Sequence, residues 1–354
     1  MISILIPCYN EINHISKCIQ SVRDFEIPEK QEIEVLILDG MSDDGTRGII
    51  SKLCENEPRL RMVDNPGRTQ SRALNIGIRE SRGEWIMRLD AHAAYPKDYL
   101  QLCYETAERT GAANVGGVCV TFPGGKNYSA RVVQALTTHR FGVGNSGFRT
   151  GARAGPRDTV PFGFFRREVF DEAGYFDERL VRTQDYEFNR RLRYLGKEIY
   201  FEPSIKSSYF NLSRFSSFLK KQFLNQGPYN AYMWYLAPYS FTPRHAITGA
   251  FALFIYFGTV LSIFIHLFGY LFLGVLALYF ALGIASSIQQ CLRYKLLRHL
   301  VVLPFSFFFF HLIHGTGVLL GMTRLVVRAA PVQKIPEPWP GAGCFRVLQK
   351  KSNE

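Results

Sequence analysis

The chain has 354 residues and a formal net charge of +12. This length corresponds to two domains, or to one large domain with an appendage. The basic excess fits phosphorylated ligands or anionic lipid, whereas the absence of any nucleic-acid-binding motif or basic stripe interleaved with aromatics excludes nucleic acid as the expected partner. The seven cysteines form no Cys-x-x-Cys pair, which excludes a zinc site and a disulfide framework and predicts reduced thiols.

Strand-like and helix-like segments alternate through the first part of the chain. The predicted strands span residues 2–7, 33–39, 60–65, 84–90 and, less regularly, 113–120. The predicted helices span residues 12–23, 45–54, 69–82 and 97–109. Alternation at this spacing predicts βαβ units, and therefore an α/β fold with a mostly parallel sheet covered by helices.

Polar signatures follow the carboxyl ends of the first four predicted strands. They are CYNE at 8–11, DGMSDDGT at 39–46, DNPGR at 64–68 and DAH at 90–92. Ligands bind beyond the carboxyl ends of parallel strands, so four separated segments indicate one site. Asp90 and His92 would point to the same side of an extended chain and could share a metal ion; the alternative is a strand that simply meets solvent.

Five motifs, in this order, resemble the family 2 glycosyltransferases, which have the GT-A (Rossmann-like, nucleotide-sugar-binding) fold and form glycosidic bonds with inversion. The motifs are Pro7-x-Tyr9-Asn10-Glu11, Asp39-Gly40-x-Ser42-x-Asp44-Gly45-Thr46, Ala73-Leu74-Asn75-x-Gly77, Asp90-x-His92 and Thr183-Gln184-Asp185. The resemblance extends through most of residues 1–225. The form DAH after MRL resembles the succinoglycan-biosynthesis, ExoA-like subgroup, whose C-terminal part is anchored in the membrane.

The resemblance implies a donor-nucleotide site in the amino-terminal motifs. The residues expected to bind the donor are Pro7, Tyr9, Glu11, Asp39, Arg68, Arg72 and Asp90. Asp39 would accept a hydrogen bond from uracil N3–H, since a carboxylate is an acceptor only. Arg68 and Arg72 would face the diphosphate, with two solvated arginines at a helix start as the alternative.

The resemblance also implies a divalent metal at Asp90 and His92 and a general base at Asp185. The usual metal motif of the family is Asp-x-Asp, and an imidazole in place of the second carboxylate softens the site, which favours Mn2+ over Mg2+. Asp185 follows Gln184, where the family usually has Glu. The alternative for Asp185 is stabilisation of a helix N-terminus.

Apolar runs dominate the carboxyl-terminal third. Runs at 246–265, 267–288 and 300–321 predict transmembrane helices, although Pro304 leaves open a re-entrant third segment. An amphipathic pattern at 213–227 predicts an interfacial helix. The expected organisation is a cytosolic GT-A domain at 1–212, an interfacial region at 213–240, a transmembrane region at 241–328 and a basic tail at 329–354.

These features together predict a multi-pass enzyme of the inner (plasma) membrane with a cytoplasmic catalytic domain. The expected reaction is transfer of a hexose, with glucose favoured, from a UDP-sugar to a hydroxyl of a lipid-linked acceptor in exopolysaccharide or other surface-glycan biosynthesis. One alternative is a polyprenyl-phosphate sugar transferase, whose phosphate acceptor needs no strong base. Another is a non-catalytic membrane protein that senses nucleotide-sugar.

Overall fold

The computed structural model of the protein describes residues 1–332, which form two compact units. The first unit comprises Met1–Val120 and Gly151–Tyr209, together with Val332. The second unit comprises Thr121–Thr150 and Phe210–Pro331, so it includes a segment that the sequence analysis assigned to the first domain. Most of the predicted basic tail at 329–354 lies outside the described residues.

One sheet of nine strands organises the first unit. In chain order the strands are β1 (Ile2–Cys8), β2 (Ile33–Asp39), β3 (Leu60–Asp64), β4 (Trp85–Arg88), β5 (Ala93–Ala94), β6 (Asn114–Phe122), β7 (Gly155–Pro156), β8 (Phe164–Arg166) and β9 (Ile199–Phe210). The order across the sheet is β3-β2-β1-β4-β8-β6-β9-β5, and β7 pairs with β9.

The first four predicted strands form the parallel half of the sheet. β1 pairs in parallel with β2 and β4, and β2 pairs in parallel with β3. The other half begins where β8 pairs with β4 in the antiparallel direction, and Trp85 of β4 stacks on Phe164 of β8 with ring centroids 5.0 Å apart. The predicted α/β fold is therefore confirmed, with the parallel strands in one half of the sheet.

The helices follow in chain order as α1 (Ile15–Arg23), α2 (Thr46–Glu55), α3 (Gln70–Glu80), α4 (Tyr99–Thr110), α5 (Tyr128–Thr137), α6 (Arg140–Val143), α7 (Gly147–Thr150), α8 (Glu168–Ala173), α9 (Gln184–Tyr194), α10 (Phe215–Lys221), α11 (Gly227–Leu236), α12 (Pro243–Phe264), α13 (His266–Tyr294) and α14 (His299–Val326). In α1 the buried side chains recur with helical spacing at Ile15, Cys18, Ile19 and Val22. This apolar stripe packs α1 into the core beside β1, whose side chains are buried almost throughout because a central parallel strand is covered on both faces.

Long apolar helices form most of the second unit. α12, α13 and α14 are each long and apolar enough to cross a membrane. α14 continues through Pro304 as one helix of 28 residues, about 42 Å at 1.5 Å per residue. Whether this segment spans the membrane or is re-entrant stays a prediction. α11 packs closely on α14, since a Cβ at Gly227 would come within 2.6 Å of the backbone oxygen of His314.

The predicted interfacial helix is divided. α10 is followed by a π-helical turn at Gln222–Gln226 and then by α11. Phe218 of α10 is buried, with its ring centroid 5.1 Å from that of Phe310 in α14. Part of its apolar face therefore packs against protein within the second unit, and its interfacial location stays a prediction.

Candidate active site

The carboxyl ends of β1, β2 and β3 lie side by side. Cys8 is opposite Asp39 in the β1–β2 pair, and Asp39 is opposite Asp64 in the β2–β3 pair. The polar segments that follow these strands therefore begin at one edge of the sheet, as the strand-helix alternation predicts.

The CYNE and DGMSDDGT segments, in which donor-binding residues are expected, are joined to each other by hydrogen bonds. The backbone N–H of Asn10 donates to Ser42 Oγ at 2.9 Å, and that of Glu11 donates to Thr46 Oγ1 at 3.0 Å. Asn10 has a φ of 53°, in the left-handed region that Asn tolerates. Tyr9, one position earlier, remains exposed. The side chain of Tyr9 is thus available to a planar ligand, although its role stays a prediction.

Asp39 is fully buried and already makes strong hydrogen bonds. Ser42 Oγ donates to its Oδ1 at 2.6 Å, and Arg47 Nη1 donates to its Oδ2 at 2.6 Å. Arg47 Nη2 also lies 2.9 Å from Asp64 Oδ1, and hydrogen bonds to both carboxylates raise the pKa of the Arg47 guanidinium. A carboxylate oxygen can accept a second hydrogen bond, so a uracil contact at Asp39 stays a prediction that Arg47 would support.

The two arginines expected at the diphosphate lie in different surroundings. Arg68 is exposed, and its Cζ is 5.8 Å from the ring centroid of Tyr9. Arg72 Nε lies 3.2 Å from Glu178 Oε2. Arg68 therefore lies beside Tyr9, a residue expected to bind the donor nucleotide, whereas Arg72 is already paired with the carboxylate of Glu178. Diphosphate binding by either arginine stays a prediction.

The chain does not stay extended through Ala91. β4 ends at Arg88, and Ala93 N–H donates to the carbonyl of Asp90 at 3.2 Å, so residues 91–92 form a turn. This turn brings His92 Nδ1 to 3.0 Å from Glu11 Oε1. The prediction that an extended chain points Asp90 and His92 to the same side is wrong. The turn nevertheless joins the DAH segment to the CYNE segment, through the contact of His92 with Glu11.

Arg88 lies between the carboxylates of Asp90 and Asp185. Its Nη2 donates to Asp90 Oδ1 at 2.9 Å, and its Nη1 lies 3.6 Å from Asp185 Oδ2. The side chain of Arg88 is only 5% exposed, whereas that of Asp185 is 44% exposed at the start of α9. The predicted metal carboxylate and the predicted base thus share one buried cation.

A pair of glutamine side chains makes a second link between these segments. Gln184 Nε2 donates to Gln70 Oε1 at 2.6 Å, and Gln70 Nε2 donates to Asp90 Oδ1 at 2.9 Å. Gln184 immediately precedes Asp185. The residue that departs from the family's usual Glu is therefore connected, through Gln70, to the predicted metal ligand.

Comparison with known proteins agrees with this arrangement of motifs. The family model described as Glycosyl transferase family 2 matches residues 3–174. The chain is 31% identical over 228 residues to the dolichyl N-acetyl-alpha-D-glucosaminyl phosphate 3-beta-D-2,3-diacetamido-2,3-dideoxy-beta-D-glucuronosyltransferase of Methanococcus voltae, covering 62% of this chain and 70% of that protein. The chain belongs to glycosyl transferase family 2. Its α/β fold is accordingly of the GT-A type.

Two further proteins are similar to this family 2 glycosyltransferase. The succinoglycan biosynthesis protein ExoA of Rhizobium meliloti is 34% identical over 209 residues, which span 58% of this chain and 62% of ExoA. The mannosyltransferase PcManGT from Pyrobaculum calidifontis, solved in complex with GDP-Man and Mn2+, has a TM-score of 0.49 and 15% identity, covering 100% of this chain and 80% of that one.

A divalent metal is typical of GT-A enzymes. The side chains of the DAH segment could supply some, but not all, of the ligands of such an ion. Burial opposes ionisation of Asp90, but Arg88 and His92 outweigh it and lower the pKa of the carboxyl below its usual value. Within residues 1–332, Asp90 Oδ2 accepts no hydrogen bond, and no group of three or more His, Cys, Asp or Glu side chains could hold a metal. Asp90 and His92 would therefore supply two ligands, and phosphate oxygens and water the rest, as is common for metals at phosphate sites.

Sequence reasoning missed Arg47, Gln70 and Arg88. Arg88 carried a usable signal, because it is the one charged residue inside the apolar strand WIMRL. An arginine buried in a strand must be paired, and the nearest carboxylate along the chain is Asp90. Gln70 carried no comparable signal, since its partners lie 20 and 114 positions away.

Proposed function

We propose that this glycosyltransferase transfers a single hexose, with glucose favoured, from a UDP-sugar to a hydroxyl group of a lipid-linked acceptor. The reaction would belong to exopolysaccharide or other surface-glycan biosynthesis and would invert the configuration at C1 of the sugar. The observation that supports it best is the arrangement of Asp185, Arg88 and Asp90.

Asp185 has the properties expected of a general base. Its carboxylate is half exposed, so an acceptor can reach it, and it lies in the first turn of α9, where the helix dipole favours a negative charge. Arg88 approaches from the buried side at 3.6 Å. The guanidinium does not cover the exposed face of the carboxylate, so an acceptor hydroxyl could approach Asp185 and pass its proton to it.

The proposed step is a single displacement. Asp185 takes the proton from the acceptor hydroxyl while the hydroxyl oxygen forms a bond to C1 of the sugar. The bond between C1 and the diphosphate oxygen breaks at the same time, and its electron pair leaves with UDP. Attack from the face opposite to the leaving group gives inversion.

The chain's own residues would organise the leaving group. A divalent metal held by Asp90 and His92, with Mn2+ favoured over Mg2+, would stabilise the negative charge that develops on the diphosphate. Arg88 and Gln70 fix the rotamer of Asp90 through two hydrogen bonds to one oxygen, which leaves Oδ2 for the ion. Tyr9, Asp39 and Arg68 would bind the nucleotide.

Two observations support a lipid-linked acceptor at the inner (plasma) membrane. The second unit has three helices that are long and apolar enough to span a membrane. The name of the Methanococcus voltae relative describes transfer to a dolichyl-linked sugar phosphate. A cytoplasmic first unit is supported by its five cysteines within residues 1–332, which are reduced thiols, as is usual in the cytosol.

The test is nucleotide release by the detergent-solubilised full-length protein. The protein would be incubated with a panel of UDP-, GDP- and dTDP-hexoses, with and without a membrane-lipid extract, Mn2+ or chelator. We expect UDP release that depends on both the lipid extract and the metal. Binding without release would favour the sensor. Transfer that survives replacement of Asp185 by Asn would favour a polyprenyl-phosphate acceptor.

A further inference from the structure

The second unit has a one-sided charge composition. Thr121–Thr150 and Phe210–Pro331 together contain thirteen Lys or Arg residues and not a single Asp or Glu. Exposed cations in folded proteins are normally interspersed with carboxylates that neutralise them. The Lys and Arg side chains of this unit have no carboxylate within the unit to neutralise them. An anion from outside the unit is therefore the natural source of their counter-charge.

Four of these cations line one pocket of about 480 Å³. Lys126 lies two residues before α5 and Arg131 lies in its first turn, whereas Lys295 and Arg298 come from the connection between α13 and α14. Within residues 1–332, none of the four forms an ion pair with a carboxylate. Two chain segments more than 160 positions apart thus direct unneutralised charge into one cavity.

Tyr128 connects the two segments at the pocket through a hydrogen bond. Tyr128 lines the cavity, and its hydroxyl lies 3.1 Å from Nδ1 of the fully buried His299. The Cζ of Arg298 is 5.9 Å from the ring centroid of Tyr128. α5 and α14 both begin at this pocket, so the positive ends of two helix dipoles add to the side-chain charges.

The position of the pocket along the chain places it at a membrane boundary. Lys295 and Arg298 belong to a connection of only four residues between α13 and α14, two candidate membrane spans. Such a connection must lie where the spans leave the hydrocarbon region. Leu297, which also lines the pocket, is 79% exposed, so apolar surface adjoins the basic groups.

We propose that this pocket binds the phosphate-bearing headgroup of an anionic membrane lipid. Phosphate oxygens would pair with Lys126, Arg131, Lys295 and Arg298, while the lipid's hydrocarbon chain would lie along Leu297 and the exposed faces of α13 and α14. The inference rests on residues of the second unit alone, and it does not depend on the donor, the acceptor or the base proposed above.

The test is lipid retention by the full-length protein, measured by native mass spectrometry from detergent micelles. The probes are phosphatidylglycerol, a polyprenyl diphosphate, zwitterionic phosphatidylcholine and inorganic diphosphate. The pocket variants are Lys295→Gln with Arg298→Gln, and Lys126→Gln with Arg131→Gln. The matched control is Arg324→Gln with Arg328→Gln, which removes the same charge from the last turn of α14 and from the residues just after it.

We expect the wild type and the control to retain an anionic lipid and to retain phosphatidylcholine poorly. At about 1 kcal/mol for each cation near a charged headgroup, each pocket variant is expected to bind roughly 30-fold more weakly. The anionic lipid that is retained more tightly identifies the source of the headgroup. Equal retention by the pocket variants and the wild type would overturn the proposal, and so would an equal loss in the control. Tight binding of inorganic diphosphate without lipid would replace it by a free-anion site.

Discussion

Arg88 Nη2 lies 2.9 Å from Asp90 Oδ1, although the two residues are separated by a single position at the end of β4. Burial opposes the charge of Arg88, but the nearby carboxylates of Asp90 and Asp185 outweigh it and raise the pKa of the guanidinium. Arg88 and Asp90 thus depend on each other, since each charge offsets the free-energy cost of burying the other. This dependence leads to measurable effects on stability and on chemistry.

Replacing Arg88 by Gln should destabilise the protein. Removal of one partner of a buried ion pair leaves the other unpaired and typically costs about 3–5 kcal/mol. The measurement is thermal unfolding of the solubilised full-length protein, followed by the fluorescence of tryptophans such as the buried Trp85. Arg61→Gln is the control, because Arg61 and Glu80 form an exposed pair whose loss should cost less than about 1 kcal/mol. Equal effects of the two substitutions would contradict the prediction.

The stability difference between Arg88→Gln and the wild type should also depend on pH. The pKa of Asp90 is lowered in the folded protein, so the pair stabilises the fold above the unfolded-state value of 3.8 and loses that effect as the pH falls through the folded value. In the variant, burial without Arg88 raises the pKa of Asp90, and acid relieves this destabilisation. The difference in unfolding temperature is therefore expected to begin to shrink above pH 3.8, as Asp90 of the variant takes up a proton, and to shrink further below pH 3.8, as the wild type loses its ion pair. A difference that widens with acid would contradict this assignment.

Replacing Asp185 by Asn should abolish transfer to a hydroxyl acceptor while leaving UDP affinity nearly unchanged. An amide keeps the shape of the side chain but cannot take the proton, and loss of a general base typically lowers the rate about 100- to 10,000-fold. Turnover and equilibrium UDP binding would be measured on the same preparation. Asp171→Asn is the matched control, since Asp171 also lies in the first turn of a helix, α8. If both variants lose activity equally and slightly, Asp185 has only a helix-stabilising role.

Local patterns in the sequence were sufficient to predict the parallel half of the sheet and the edge at which the candidate site lies. The period of apolar residues in α1 and the unbroken apolar run of β1 are properties of short segments, and they fix which faces are buried. Parallel register then brings the residues after β1, β2 and β3 together without further information.

The antiparallel half and the contacts of the site depend on packing between distant segments. β5 has two residues and β8 has three, too few to show a period. The hydrogen-bond partners of Asp39 could not be predicted for a related reason. Asp39 is buried by the elements packed around it, and the segment DGMSDDGT alone does not indicate that this burial requires Arg47 as a partner. The turn at 91–92, which brings His92 to Glu11, was also unpredictable, because Asp90-Ala91-His92 is compatible with strand or turn.

Replacing Gln184 by Glu should destabilise the protein, although Glu is the usual residue of the family at this position. Gln184 Nε2 donates to Gln70 Oε1, and a carboxylate cannot donate. Gln70 would lose this bond, or it would rotate its amide and lose the bond to Asp90, and one unsatisfied buried group costs about 1–3 kcal/mol. The same thermal measurement applies. Gln101→Glu, which removes an exposed amide–carboxylate hydrogen bond in α4, is the control; a Gln184→Glu protein as stable as the wild type would contradict the prediction.

The metal preference should depend on His92 and not on His14, although both histidines contact Glu11. His92 Nδ1 and His14 Nδ1 each lie 3.0 Å from an oxygen of Glu11, but only His92 belongs to the DAH segment with Asp90. His92→Asp should create a harder, all-oxygen ligand pair and shift activity from Mn2+ towards Mg2+, whereas His14→Asp should leave the metal profile unaltered. Asp90→Ala should lose metal-dependent transfer. Initial rates would be measured at matched Mn2+ and Mg2+ concentrations and with chelator. A His92→Asp enzyme with the wild-type profile would show that His92 only positions Glu11, and transfer that is indifferent to chelator would remove the metal from the mechanism.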